Sequence, residues 1–488
     1  MRAFPVLVVV LLVSSAAGHA VAVDTADRRT VADTAALPGP NPSLAVTPSA
    51  SVNSTNASEA PNVSRILSLP RPAVDASNIT LVRIDAGGAT ETRMEVGALR
   101  MKNLYIRERL NRTDTPSERA AVVREEVRAL ENRSDELREE QQEAIRAYNS
   151  NEIGTRTFLL RLARIDRVAE LLGERTRLLI SAATGTFDGE SSVFDDLSQV
   201  RYDLRSFDGP VRERIAAAVE GETTETRVYV ATTSKGVALT TIVNDTYVRE
   251  VYRGFLWEQG GEGISGSDVS NVTARSYPEI WEARNRTSGV GSNSTFIFSV
   301  RHAGGALEAH IRGDNRRVFK EVQRIPLERF PLRPATKKQL GGLTLLVNRT
   351  YAGGPLRIKV IDTKTQNPLN VSVSLSRIGG LGSTPIGSTG EDGVIWTLAP
   401  GGQTSGYAIT AVDEGPDIRR IIQLVTAPTD PVTVDDALGL RVEPPSERSV
   451  VGASAAETAA AEADDSTAET SSDRTDLRLL AGERTRIR

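Results

Sequence analysis

The stretch from about residue 115 to residue 183 constrains this chain more than any other. Apolar or small residues fall at Val123, Val127, Leu130, Ser134, Leu137, Gln141, Ala144 and Tyr148, with only Ser134 and Gln141 polar. After a turn over residues 148–154 the pattern resumes at Phe158, Leu162, Ile165, Ala169, Leu172, Thr176, Leu179 and Ala183. Both sets step by four and three, the seam of a coiled coil, and predict two long antiparallel helices. Thr115, Pro116 and Glu118 supply an N-cap, a proline at the first helical position and a capping box. A third stripe, Ala89, Val96, Leu99, Asn103, Ile106 and Leu110, gives the two seams an internal partner. Self-burial in a three-helix arrangement is therefore expected over intermolecular zippering. Arg124, Glu125, Arg128, Glu131, Arg138, Glu139 and Glu140 read as a solvated outer face.

The opening residues address the compartment. Arg2, an apolar core over residues 4–13 and Ala20-Val21-Ala22 form the three regions of a secretory signal peptide, predicted over residues 1–22. No later stretch reaches the ~20 apolar residues of a membrane helix, so no transmembrane segment is expected in the mature chain. The absence of cysteine excludes disulfides, thiolate metal sites and a cysteine nucleophile. A net charge of −4 does not suit a nucleic-acid binder. Lysine occupies only seven positions among 59 basic residues, the rest being arginine. With abundant Asp, Glu, Thr and Ala, this usage resembles exported surface proteins of salt-loving archaea, although a GC-rich genome also favours arginine.

Along the chain the expected class is α+β and multidomain: a helical coiled-coil bundle, then helix–hairpin repeats, then a β-sandwich. Residues 23–64 read as a disordered linker. The helical domain follows over 65–185, the repeats over 195–330 and the sandwich over 342–430. Residues 331–340 read as a linker, and 446–488 as a disordered acidic tail. Twelve N-x-S/T sequons mark glycosylation candidates: Asn53, Asn56, Asn62, Asn78, Asn111, Asn132, Asn244, Asn271, Asn285, Asn293, Asn348 and Asn370. Asn132 is expected on the solvent side of its helix.

Self-comparison suggests an internal repeat. Pro210 opens a short helix ending at Gly221, and Pro278 another ending at Gly289; each precedes a strand, a glycine turn and a second strand. The units close on residues 248–253 (VREVYR) and 319–324 (FKEVQR). This helix-then-meander plan resembles PepSY-like domains, which implies exported modules attached to proteases or envelope proteins. Two units side by side would pair edges and share one sheet. Residues 356–362, 371–375 and 394–398 read as strands with turns at Asn367-Pro368-Leu369 and Pro400-Gly401. They resemble the carboxypeptidase regulatory-like, or transthyretin-like, β-sandwich, which implies a non-catalytic module. Ile395 and Trp396 suggest one buried face and one face near an adjoining surface.

Chemistry is sparse. His302 and His310 flank the Gly304-Gly305 turn, but two imidazoles without a placed third ligand make a poor metal site, and surface strand positions are the expected reading. Gly260 to Gly263 and Gly379 to Gly382 are loops, not phosphate cradles, because no strand leads through them into a helix. Asp195-Asp196 and Asp435-Asp436 could bind Ca²⁺ through oxygen ligands, although adjacent aspartates are common in acidic chains. The expectation is an exported, N-glycosylated, non-enzymatic surface protein without cofactor or metal, partnered by other cell-envelope proteins. The alternative is a regulator or inhibitor of an exported protease or envelope sensor.

Overall fold

The computed structural model describes residues 65–70, 73–184, 186–187, 191–257, 264–292, 294–378, 382–401, 406–426 and 431–437. The expected signal peptide, linker and acidic tail, the sequons Asn53, Asn56, Asn62 and Asn293, and most of both glycine loops lie outside these residues.

A strand, β1 (Ala76–Val82), leads into α1 (Ala86–Asn111), α2 (Pro116–Asn149) and α3 (Thr155–Ala183). Thr115 and Glu118 form a full capping box at the start of α2, which satisfies orphan N–H groups there. Every residue of the two long stripes is buried, including Ser134, Gln141 and Thr176. Two further helices, α4 (Ser191–Leu204) and α5 (Pro210–Val219), complete the layer. Helix α3 packs on α1, α2, α4 and α5 together. It therefore also buries Leu159, Ala163, Val168 and Leu171, a wider face than a two-residue seam provides. The third element sealing α2 and α3 is largely α4, whose Val193, Leu197, Val200 and Leu204 enter their core. Helix α1 lies mainly along α3, where Asn103 Nδ2 donates to the Leu171 carbonyl at 3.1 Å.

The helices lie on an antiparallel sheet formed by two meanders. The first is β2 (Thr226–Thr233), β3 (Gly236–Val243) and β4 (Thr246–Arg253). After α6 (Gly266–Ser276) and α7 (Pro278–Glu282) come β5 (Arg284–Gly291), β6 (Thr295–His302), β7 (Gly305–Arg312) and β8 (Val318–Pro326). The order is β1-β2-β3-β4-β8-β7-β6-β5, so the closing strands of the meanders pair with each other, Val251 opposite Glu321. The segments expected to match differ at their openings. Pro278 starts only one turn and a half of helix, and Gly289, expected to end that helix, lies in strand β5.

One sheet face is covered by α2, α3 and α5 through Ala144, Tyr148, Phe158, Leu162, Val211 and Ile215 against Val228, Val230, Val237 and Leu239. Because β1 pairs with β2, the helical region and the first meander share one sheet and one core.

The opposite face carries α6, α7 and a β-sandwich. Its first sheet is formed by β9 (Thr336–Leu340), β10 (Leu343–Asn348), β11 (Pro355–Asp362) and β14 (Val394–Leu398). The second is formed by β12 (Ser372–Arg377), β13 (Thr384–Ser388), β15 (Gly406–Asp413) and β16 (Arg419–Thr426). Residues 336–340, expected in a linker, are thus an edge strand, because alternate pairing to β10 satisfies a backbone whose side chains stay exposed. Ile395 packs into the sandwich core while Trp396 turns to the large sheet's core.

The docking is close. Gly353, at φ +74°, presents its carbonyl to Thr240 Oγ1 (2.7 Å) and the Tyr247 hydroxyl (3.1 Å). A Cβ there would meet the Tyr229 ring at 2.4 Å. Finally, α8 (Val434–Ala437) returns to the start of the described chain, where Ile66 bridges Thr433 and Arg253 binds both the Ser68 carbonyl and Asp435.

Candidate functional site

Charged groups gather between the helical layer and the sheet. Arg212, on α5, projects onto Glu250 of β4, Nε to Oε1 at 2.7 Å, and both are essentially inaccessible. Its Nη1 donates to Gln141 Oε1 at 2.7 Å and to the Phe207 carbonyl at 2.9 Å. The polar interruption at Gln141 in the α2 stripe is therefore a hydrogen-bond acceptor for a buried guanidinium. Gly209, just before α5, lies directly over the Glu250 carboxylate; an added Cβ would overlap it. The Gly209 N–H donates to Asp166 Oδ1 at 2.8 Å. Asp166 thus sits buried beside a second carboxylate. Burial pushes its carboxyl up to about 8, and Glu250 adds to the push, against the Gly209 hydrogen bond and the Arg212 charge.

Outward from this layer runs a cleft of about 250 Å³, lined by Asp166, Glu170, Arg205, Asp208, Glu213, Glu308, Lys320 and Arg324 among others. Lys320, on β8 and buried, donates to the carbonyl oxygens of Arg205 (2.9 Å) and Asp208, and lies 3.6 Å from the Asp208 carboxylate. Its ammonium thereby fixes the α4–α5 loop. Beside it, His310 Nε2 meets Glu308 Oε1 at 3.0 Å. Burial and the Lys320 charge push His310 below its ordinary value, while the contact with His310 holds the Glu308 carboxyl low against its own burial. The lining is of mixed charge and carries no hydroxyl or thiol.

The other face holds a third buried carboxylate. Glu321 accepts from Arg249 Nη1 (2.7 Å), the Tyr277 hydroxyl (2.7 Å) and the Leu67 N–H (2.6 Å). Burial pushes it upward, and these three donors oppose the push.

The histidines do not converge. His302 pairs with Gly305 while His310 lies opposite Ile297, so five residues, about 17 Å of strand, separate them. Both are buried, His302 accepting from the Gly304 N–H, in place of the expected exposed strand positions. Asp435 is engaged by Arg253 and Arg317. Asp195 and Asp196 are exposed on α4, and among the described residues no three candidate ligands gather to hold a metal ion. The expected solvated face also needs correction. Arg138 is buried with its guanidinium 4.7 Å above the Trp257 ring, and Glu140 bridges Arg133 and Arg164.

The eight described sequons fall in unlike settings. Asn78 and Asn348 use their amides in hydrogen bonds within the chain, Nδ2 donating to Thr155 Oγ1 and, at the surface, to the Arg333 carbonyl. Asn111, Asn132 and Asn271 lie on helices. Asn132 is exposed as expected, yet the hydroxyl residue of its sequon, Ser134, is buried in the seam. Asn244 occupies the two-residue β3–β4 turn at φ +47°. Asn285 is exposed on β5, and Asn370 is exposed in the loop before β12.

Three family models match the chain. One described as a domain of unknown function (DUF7096) covers residues 1–224, and one described as a family of unknown function (DUF7094) covers 228–331. A third, an archaeal fibronectin-III type-like domain, covers residues 335–419. No curated protein and no solved structure matches. The first match ends just before β2 and the second begins within it, so they divide a sheet that the structure joins through β1 and β2. The third begins at β9, and it gives the sandwich an archaeal fibronectin-type likeness where a transthyretin-like one was expected. The resemblance to PepSY-like domains gains no support from these matches.

Proposed function

We propose that this chain is an exported, N-glycosylated, non-enzymatic protein of the cell surface that binds other cell-envelope proteins. The observation carrying this reading is the fibronectin-type sandwich seated on the eight-stranded sheet through Gly353, Tyr229 and Tyr247. A sandwich fixed in this way is a rigid presenting element, since Thr240 and Tyr247 both hold one backbone carbonyl. The helical seams act as internal scaffold, because their apolar residues are consumed within the molecule. Buried ionic pairs such as Arg212–Glu250 and Arg249–Glu321 serve to fix which strands and helices meet. Fractionation of the source cells tests the reading: recovery in the envelope or medium is expected, and recovery in the cytosol ends it.

The regulatory alternative has one observation in its favour. Strand β5 is an eight-residue sheet edge exposed from Arg284 to Val290, the kind of edge that takes an added strand from a partner. Co-purification of an exported protease with the full chain supports regulation. Recovery of surface-layer protein instead supports the structural role.

A further inference from the structure

We infer that Asn285 and Asn370 are the residues, among the eight described sequons, that carry N-linked glycan. The inference rests on the export reading above. Transfer needs two things of the acceptor: a free amide nitrogen and an accessible Ser or Thr hydroxyl two residues on. The fold sorts the sequons sharply on both counts.

Asn78 and Asn348 fail on the amide, each donating to a fixed acceptor at 3.0 and 2.9 Å respectively. Asn132, Asn271 and Asn348 fail on the hydroxyl. Ser134 is 3% exposed, Thr273 is 1% exposed and donates to the Val269 carbonyl, and Thr350 is 6% exposed and donates to the Pro355 carbonyl. Thr113 donates to the Leu110 carbonyl at the end of α1, and Thr246 turns back to the Asn244 carbonyl within its hairpin. Asn285 with Thr287, and Asn370 with Ser372, are exposed at both positions.

Asn285 has a further qualification. The pairing of β5 with β6 shifts between Arg284 and Arg286, so Asn285 is the extra residue of a bulge and stands outside the ladder. An acceptor segment there can be lifted without breaking the sheet. The donor is an oligosaccharide linked through phosphate to a membrane polyprenol. In the transfer, the sugar C1–O bond to phosphate breaks, a C1–N bond to Asn Nδ2 forms, and the amide proton leaves with the lipid phosphate. A glycan at Asn285 would also cover the exposed β5 edge, where unpaired backbone invites strand-to-strand association.

Glycopeptide mass spectrometry of the full chain from its own host tests the inference. Asn285 and Asn370 are expected to be occupied in most copies, and Asn78, Asn111, Asn132, Asn244, Asn271 and Asn348 bare. Thr287→Ala and Ser372→Ala should each abolish one glycan while leaving the asparagine in place. Bare Asn285 and Asn370 in protein recovered from the envelope overturn the inference and leave the export reading standing. Bare sites in protein recovered from the cytosol overturn both. Glycan on Asn132 or Asn271, with Asn285 bare, overturns the selection by fold.

Discussion

The meanders β2–β4 and β6–β8 place a glutamate at matching points of their closing strands, Glu250 in VREVYR and Glu321 in FKEVQR, yet the two carboxylates face opposite sides of the sheet. Glu321 is met by a guanidinium, a phenol and a backbone N–H, which together satisfy a buried anion. Glu250 is met by Arg212, and beside it Asp166, which accepts from the Gly209 N–H, is pushed up to about 8 by burial. A buried carboxyl that must shed its proton as pH rises makes this the less settled half. The difference teaches that a buried ion pair fixes geometry without guaranteeing stability. Asp166 of α3 brings a raised carboxyl to the helix-facing side of the first meander, whereas Glu321 of the second meander is anchored by three donors.

Removing the anchor should have the largest effect. Glu321→Ala strands Arg249 in the interior, and chemical denaturation should register a loss of about 4 kcal/mol. If the loss is under about 1 kcal/mol, the two halves are not unlike in this way. On the other side, Asp166→Asn keeps an acceptor for Gly209 and removes the buried titratable carboxyl. Because the folded carboxyl is raised to about 8, the native state holds a proton that the unfolded chain has released above its ordinary carboxylate range. Wild-type stability should therefore fall as pH rises from about 4 to about 8. The variant should be more stable by several kcal/mol at pH 8, with the gain vanishing near pH 4. An unchanged slope across that window would show that Asp166 is not the group responsible.

The sandwich is gripped by the first meander through Thr240 and Tyr247. Gly353→Ala adds strain at a positive φ and a clash with Tyr229, and should cost about 2 kcal/mol in thermal unfolding. Thr115→Ala, remote from both meanders, should cost about 1 kcal/mol through loss of the α2 capping box, equally at pH 5 and pH 8.

Local and periodic signals were readable before the fold was known. The two long stripes are buried throughout, the capping box closes at Thr115, and Ile395 and Trp396 divide between two cores. Helix α4 repeats the four–three steps at Val193, Leu197, Val200 and Leu204, so its signal too is present in the chain. Strand β5 had none: its alternation is hidden because Gly289 and Gly291 lie under Phe298 and Phe296 of β6 instead of presenting apolar side chains. The charged layer was invisible for a different reason. Asp166, Arg212 and Glu250 meet only through the stacking of α3, α5 and β4, and no spacing in the chain announces it. Arg138 was misplaced because a guanidinium over an indole is buried as readily as an apolar side chain.

The most direct test of the surface reading uses the scarcity of lysine. Intact cells treated with a membrane-impermeant amine reagent, followed by peptide mapping of this chain, report compartment and fold together. Labelling is predicted at Lys337 and Lys338 on the exposed edge strand β9, with Lys320 protected in its buried site. Labelling of Lys337 and Lys338 only after the cells are lysed would contradict the account.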